Sequence, residues 1–341
     1  MNNVIKNCQL FKSSIPQTRR AFVARVLAAV AVLTLAHSLS FAQTYPVKPV
    51  KIIVGYAPGG AVDAVARSVA QSLSTSLGQP FVVENKPGAG TNIAVKAAIE
   101  APADGYTLML AANALAANMS LYHPAPFDIE RDLVPVSLVG RVPVVIAMNA
   151  SAPFASLARL IEAAKAKPGA IAFASPGNGS TPHMALELFA KAVGISLLHI
   201  PYKGGAPAIT DVIGGQMPLV AVNALEVKPH VASGKLKVLA VLSPSRSPIF
   251  PDSPTIAELG FPGFEASVWY GFVAPAATPK SIVAKLHAEV QKALNSSEVK
   301  ERMSAVGGEV LPARADQFGA LLRSERIRYE KLVREANIKP D

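Results

Sequence analysis

Cysteine is nearly missing from this chain of 341 residues, occurring once as Cys8. That one thiol lies in a leader that reads as removed on export, so the processed protein has neither a disulfide nor thiol chemistry. Cysteine nucleophiles and thiolate metal sites are excluded, and stability has to come from the size of the core. Charge is sparse too, at 16% of residues against 50% hydrophobic, the balance of a packed globular protein. No cluster of Lys and Arg interleaved with aromatics occurs, which removes nucleic acid as a partner. Beyond the leader, His123, His183, His199, His230 and His287 show no metal-ligand spacing, so neither metal nor cofactor is expected. Tandem repeats, low-complexity tracts and long linkers are absent, and the prolines are spread over turns.

Residues 1–42 contain Lys6, Lys12, Arg19, Arg20 and Arg25 and no acid. An apolar run over 26–36 follows, and Ser40 and Ala42 flank Phe41 at a cleavage point. This order reads as an export signal cleaved near Ala42, with the periplasm as destination. Its apolar core is too short to span a bilayer comfortably. Thr18-Arg19-Arg20-Ala21-Phe22-Val23 also fits a twin-arginine signal, so the general and twin-arginine routes both stay open. The formal charge of +10 shrinks accordingly, because the 33 basic side chains less these five leave 28 against 23 acidic.

The remaining length suits two domains rather than one core. Strand and helix patterns alternate, which predicts an α/β fold with largely parallel sheets. In a helix over 61–77, Val62, Val65, Ala66, Val69, Leu73 and Leu77 recur at three- and four-residue spacing, while Asp63, Arg67, Gln71 and Ser74 face away. Strands are expected over 81–84, 107–111, 197–200 and 236–241, and helices over 92–101, 157–167, 184–193, 206–213, 279–294 and 315–336. The apolar stretch 142–148 carries the chain from a first lobe into a second, and 264–272 returns it. The resulting division is lobe 1 over 43–145 plus 266–341 and lobe 2 over 146–265, with two crossings at a hinge.

One device appears twice. Val50-Lys51-Ile52-Ile53-Val54 runs into Gly55-Tyr56-Ala57-Pro58-Gly59-Gly60 and then a helix. Ala172-Phe173-Ala174-Ser175 runs into Pro176-Gly177-Asn178-Gly179-Ser180-Thr181 and another helix. A helix N-terminus has unpaired N–H groups and partial positive charge, so it holds an anion without a cationic side chain. Two such loops suggest two lobes closing on one small anion. Around them, Asp63 reads chiefly as holder of its own loop, with Arg67 as its partner four residues on. Ser180 and Thr181 read as caps, as hydroxyl donors to a ligand, or both. Asn113 and Asn223 offer side-chain amides or serve as turn and cap residues, and Tyr202 reaches the cleft or packs at a sheet edge. Trp269-Tyr270 lines the hinge wall or joins the core. Neither glycine loop ends in the Gly-Lys-Ser/Thr of a nucleotide-phosphate loop, and Gly88-Ala89-Gly90-Thr91-Asn92-Ile93 lacks a third glycine. A Ser180/His183 nucleophile with Glu187 as the local acid is the enzyme alternative, although His183 in a helix's first turn reads as structural and 177–180 is no hydrolase elbow.

These residues resemble the Bug family. The resemblance rests on Tyr56-Ala57-Pro58-Gly59-Gly60-Ala61-Val62-Asp63, Glu84-Asn85-Lys86-Pro87-Gly88-Ala89-Gly90, Gly177-Asn178-Gly179-Ser180 with His183, Pro201-Tyr202-Lys203-Gly204-Gly205, Pro229-His230-Val231-Ala232-Ser233-Gly234 and Trp269-Tyr270-Gly271-Phe272. The six motifs occur in order over the whole processed chain. The resemblance implies a two-lobed periplasmic binding protein of the Venus-flytrap, type II-like kind, each lobe a central sheet flanked by helices, with no catalytic residues. It implies capture of a small carboxylate or related polar metabolite by backbone amides of the loop Ala57, Pro58, Gly59, Gly60 and Ala61 from one side and by Ser175, Ser180 and Thr181 from the other; the residues themselves add Tyr56, Asp63 and Asn113 to the first side and Gly177, Tyr202 and Asn223 to the second. It further implies a monomer that delivers its ligand to a tripartite transporter with one large and one small integral-membrane subunit, or serves as a ligand sensor for signalling. Two departures stand out. Thr91 replaces a further glycine common in the family, and 220–223 is Val-Ala-Val-Asn without the usual aromatic and acid.

Overall fold

The computed structural model describes residues 45–154, 156–304, 308–336 and 338–339. The export signal expected over 1–42 lies outside the described residues. From there the chain alternates strands and helices: β1 (Val50–Val54), α1 (Ala61–Leu77), β2 (Phe81–Asn85), α2 (Asn92–Ile99), β3 (Thr107–Ala111), α3 (Ala114–Leu121), α4 (Ile129–Asp132), β4 (Leu133–Asn149) and α5 (Leu157–Ala166). It continues through β5 (Ala172–Ser175), α6 (Thr181–Val193), β6 (Leu198–Pro201), α7 (Gly205–Ile213), β7 (Leu219–Asn223), α8 (Ala224–Ala232), β8 (Leu236–Val241), β9 (Ser267–Pro275), α9 (Lys280–Asn295), α10 (Ser297–Ser304), β10 (Glu309–Ala313) and α11 (Ala315–Ala336). Among the described residues no helix is long and apolar enough to cross a membrane.

The helix expected over 61–77 has those bounds. It buries Val62, Val65, Ala66, Val69 and Leu73, and ends on Gly78 in the left-handed conformation, φ 66°, whose N–H closes onto Ser74. Each such Val or Leu contributes about 1.5–3 kcal/mol by leaving water. The expectation of largely parallel sheets needs correction. Strands β1–β2, β1–β3, β5–β6 and β5–β7 pair in parallel, but β9, β10, β7 and β8 all pair antiparallel to β4, and β9 pairs antiparallel to β3. The reason is β4 itself, a strand of 17 residues that spans the apolar 142–148 and extends well before it. A strand this long takes two sets of neighbours, each returning to it by reversal.

Over Leu133 to Pro143, β4 lies beside β9, with β10 along Leu138 to Arg141. Over Val144 to Asn149 it lies between β7 and β8. The change of neighbours is locked by main-chain bonds: Val144 N donates to Ala266 O at 3.0 Å, Leu242 N to Val144 O at 2.8 Å, and Ala266 N to Leu242 O at 3.0 Å. The strand order is β2-β1-β3-β9-β4-β7-β5-β6, with β8 and β10 attached to β4.

Trp269 and Tyr270 belong to the core, 5% and 0% exposed. The Trp269 ring meets Phe318 of α11 edge-on at 5.6 Å. Next to it Gly271 lets α11 approach the sheet, since a Cβ there would fall 2.2 Å from Phe318 Cζ. Gly271→Ala is expected to lower unfolding free energy by about 1–3 kcal/mol, measured by urea denaturation. A variant as stable as the parent would show that α11 does not press on β9 in this way.

Candidate functional site

Strand β1 ends in the first glycine loop. Gly59 has φ +83°, and Gly60 is an N-cap with no side chain to close the helix end. Three of the loop's donors nevertheless have partners within the protein. Ala57 N donates to Lys203 O at 2.8 Å, Gly59 N to Asp63 Oδ2 at 3.0 Å, and Ala61 N to Glu226 Oε1 at 3.0 Å. This corrects the expectation that these amides stand free for a ligand. Asp63 also accepts from Arg67 Nε at 2.9 Å and Asn85 Nδ2 at 2.9 Å, while Asn85 Nδ2 donates to Tyr56 O at 3.0 Å. It therefore holds the loop, as its weighting in the sequence favoured. Burial opposes its ionisation, but the bonds from Arg67, Gly59 and Asn85 outweigh that and hold its carboxyl below the usual range.

Glu226 was missed by the sequence reading. It stands in the first turn of α8, where its Oε2 accepts from Asn223 N at 3.2 Å and Asn223 Nδ2 at 3.3 Å while its Oε1 reaches Ala61. Asn223 and Glu226 occupy the N-cap and N3 positions of a capping-box pattern, which was legible. The second contact joins residues 165 apart and had no local signal. Gly205, first residue of α7, makes room: a Cβ there would lie 2.0 Å from Glu226 Oε1. One carboxylate thus gathers the N-terminal ends of α1, α7 and α8. Burial raises its pKa, opposed by the donors of Ala61 and Asn223, and no basic side chain pairs with it among the described residues.

The second loop follows β5. Ser175 is fully buried, accepts from Gly177 N at 3.1 Å and is hydrogen-bonded to His199 Nε2 at 2.6 Å. Ser180 caps α6, accepting from His183 N at 3.4 Å. The His183 ring stacks on His199 at 3.9 Å, and its Nδ1 accepts from Gly179 N at 3.3 Å. The Ser180/His183 nucleophile fails on this geometry, because Ser180 Oγ engages the His183 main chain and the ring nitrogen Nδ1 is already bonded. Only burial acts on the Glu187 carboxyl, raising it. Thr181 Oγ1 lies 3.4 Å from the Tyr329 hydroxyl.

A cavity of about 360 Å³, counting its open mouth, joins the two loops. Of the fourteen expected residues, Tyr56, Gly60, Ala61, Asn113, Ser180, Thr181 and Asn223 line it; Glu226, Gly205 and Pro176 are among the others that do. Ala57, Pro58, Gly59, Asp63, Ser175, Gly177 and Tyr202 stand outside the lining. Tyr202 is drawn away because its hydroxyl donates to Asp211 Oδ2 at 2.5 Å. Asn113 lines the cavity with its amide engaged, Nδ2 donating to Glu325 Oε2 at 3.0 Å and Oδ1 accepting from Trp269 N at 3.0 Å. Burial first, then Tyr329 and Glu226, raises the Tyr56 phenol, so it remains a neutral O–H. Among the described residues no Lys, Arg or His side chain lines the space.

Helix ends from both strand sets thus line one small cavity, the arrangement of a protein that binds a small solute between two groups of strands. The chain matches the model of the tripartite tricarboxylate transporter family receptor over residues 65–338. Protein BugT of Bordetella pertussis is 42% identical over 300 residues, 87% of this chain and 92% of that one. The solved structure of periplasmic binding protein BugD superposes with TM-score 0.84 at 35% identity, covering 87% of this chain and all of that one (100%). MatC of Rhodopseudomonas palustris with bound malate superposes with TM-score 0.81 at 30% identity, covering 85% and 100% of the two chains. The chain belongs to the tripartite tricarboxylate transporter receptor family, that of the Bug proteins. These proteins are solute-binding receptors and not enzymes.

Burial lowers the His183 imidazole to about 4, and burial with the neighbouring His183 lowers His199 to about 3. Both stay neutral in the fold while the unfolded chain takes up protons below about pH 6.5. Their effect on stability is therefore nil above that pH and turns unfavourable as pH falls toward 4, by up to about 1.4 kcal/mol per pH unit for each imidazole. Urea denaturation across that window is expected to show a shallower slope in His183→Gln/His199→Gln. Identical slopes in parent and variant would contradict a neutral buried pair.

Proposed function

We propose that this protein is a periplasmic receptor that captures a small carboxylate or related polar metabolite by closing two lobes, 43–145 plus 266–341 and 146–265. It then delivers the ligand to the large and small integral-membrane subunits of a tripartite transporter. The observation that carries the reading is the cavity itself, which the N-terminal turns of α1 and α6 line together without a basic side chain. A carboxylate in such a place is held by helix dipoles and hydroxyls. MatC, with its bound malate, supports a carboxylate as the ligand class.

Tyr56, Gly60, Ala61 and Asn113 form the wall from the first lobe, and Ser180, Thr181 and Asn223 present polar groups from the second. The crossings of β4 at Val144 and of the return strand at Ala266, bonded directly to each other, form the hinge. Residues 1–42 direct export and are cleaved near Ala42, leaving a monomeric receptor without cysteine. The reading requires no catalytic group, metal or cofactor.

Native mass spectrometry of the protein as purified from the periplasm is expected to show a chain beginning near Gln43 with an organic acid retained. The Thr181→Val variant is expected to bind that acid roughly tenfold more weakly, the effect of one hydrogen bond to a charged group, with its melting temperature lowered modestly by loss of the Tyr329 contact. Binding of no acid or amide from a broad panel, together with no compaction in solution scattering, would contradict the receptor reading.

A further inference from the structure

Glu226 already fills the place on α1 where a ligand carboxylate would sit. Its Oε1 takes the N–H of Ala61, and its Oε2 takes both donors of Asn223. The seat is built for this carboxylate, because a Cβ on Gly205 would overlap it at 2.0 Å and a Cβ on Gly60 would press it at 3.0 Å. Beside it Asn223, 4% exposed, lines the same cavity, and its buried Oδ1 has no hydrogen-bond partner. The orientation of that amide is fixed, since its nitrogen must face an acceptor-only carboxylate. The lining therefore includes acceptors, from Glu226 and Asn223, and hydroxyls able to donate, from Ser180 and Thr181 at the head of α6.

We infer that Glu226 is a specificity-determining residue that restricts the ligand to one carboxylate, seated on α6, and requires an N–H donor group, ammonium or primary amide, facing Glu226 and Asn223. The inference rests on the carboxylate reading above and narrows it. A second ligand carboxylate would meet Glu226 with no basic side chain in the lining, and the burial that already opposes ionisation of Glu226 disfavours adding another negative charge beside it. An ammonium or amide group instead satisfies the Asn223 oxygen and pairs with the carboxylate. Expelling Glu226 to admit a second carboxylate would strip Ala61 and Asn223 of their acceptor and unseat the group around which Gly205 is shaped.

The test is isothermal titration calorimetry on the exported protein, stripped of ligand by partial unfolding and refolding. The probes are straight-chain dicarboxylates of four to six carbons, their monoamides and the ω-amino acids of equal length. The parent is expected to bind a monoamide or amino acid at least about tenfold more tightly than the dicarboxylate of the same length. Glu226→Ser, which empties the seat on α1, is expected to abolish or reverse that preference. Glu226→Gln, which keeps the shape and removes the charge, is expected to lose the preference for ammonium over carboxylate, and serves if the serine variant fails to fold. A parent that binds a dicarboxylate as tightly as its matched monoamide and amino acid would overturn the inference, and so would variants whose preferences equal the parent's. Either result would leave the carboxylate reading standing, whereas binding of none of these acids by any form would remove that reading and the inference together.

Discussion

The structure depends on one strand that belongs to two neighbourhoods. Over its first part β4 is bonded to β9 and β10, over its last to β7 and β8. An apolar run over 142–148 allows this, because side chains buried on both faces suit a strand covered on either side. The parallel strands β1 and β5 each feed a helix from their carboxyl ends, where open α/β sheets present ligand crevices. Since β4 joins both strand sets, the two helix starts open on one space and not on two unrelated surfaces.

Electrostatics then decides the character of that space. Its wall has no basic side chain, so whatever negative charge sits there relies on main-chain N–H groups and hydroxyls. One carboxylate is the protein's own. Glu226 bonds the starts of α1 and α8 together, with the start of α7 packed against it, and its three donors offset part of its removal from water. Histidines beside the second loop are stacked, bonded and neutral, and so contribute shape without charge.

Much of this was legible from spacing. The apolar periodicity of 61–77 marked α1 from end to end, and the two glycine bends marked the helix starts that line the cavity. Asp63 was read as a loop holder because a carboxylate beside an anion site repels it, and its bonds to Gly59, Asn85 and Arg67 agree. Contacts between segments far apart were not legible. The Asn223-Ala224-Leu225-Glu226 pattern announces a capping box, and nothing in it says that the same glutamate also reaches Ala61. Tyr202 and Asn113 looked like ligand donors because an exposed polar group and a committed one look alike in sequence. Asp211 and Glu325 commit them. The helix α3 was overlooked because it is buried nearly all round and shows no amphipathic period.

The most direct test of the account is a crystal structure of the receptor with the acid it binds most tightly. The account expects the ligand carboxylate within hydrogen-bond distance of Ser180 and Thr181, an N–H of the ligand on Asn223 Oδ1, and Glu226 still bonded to Ala61. A ligand carboxylate on Ala61 N with Glu226 swung aside would contradict it.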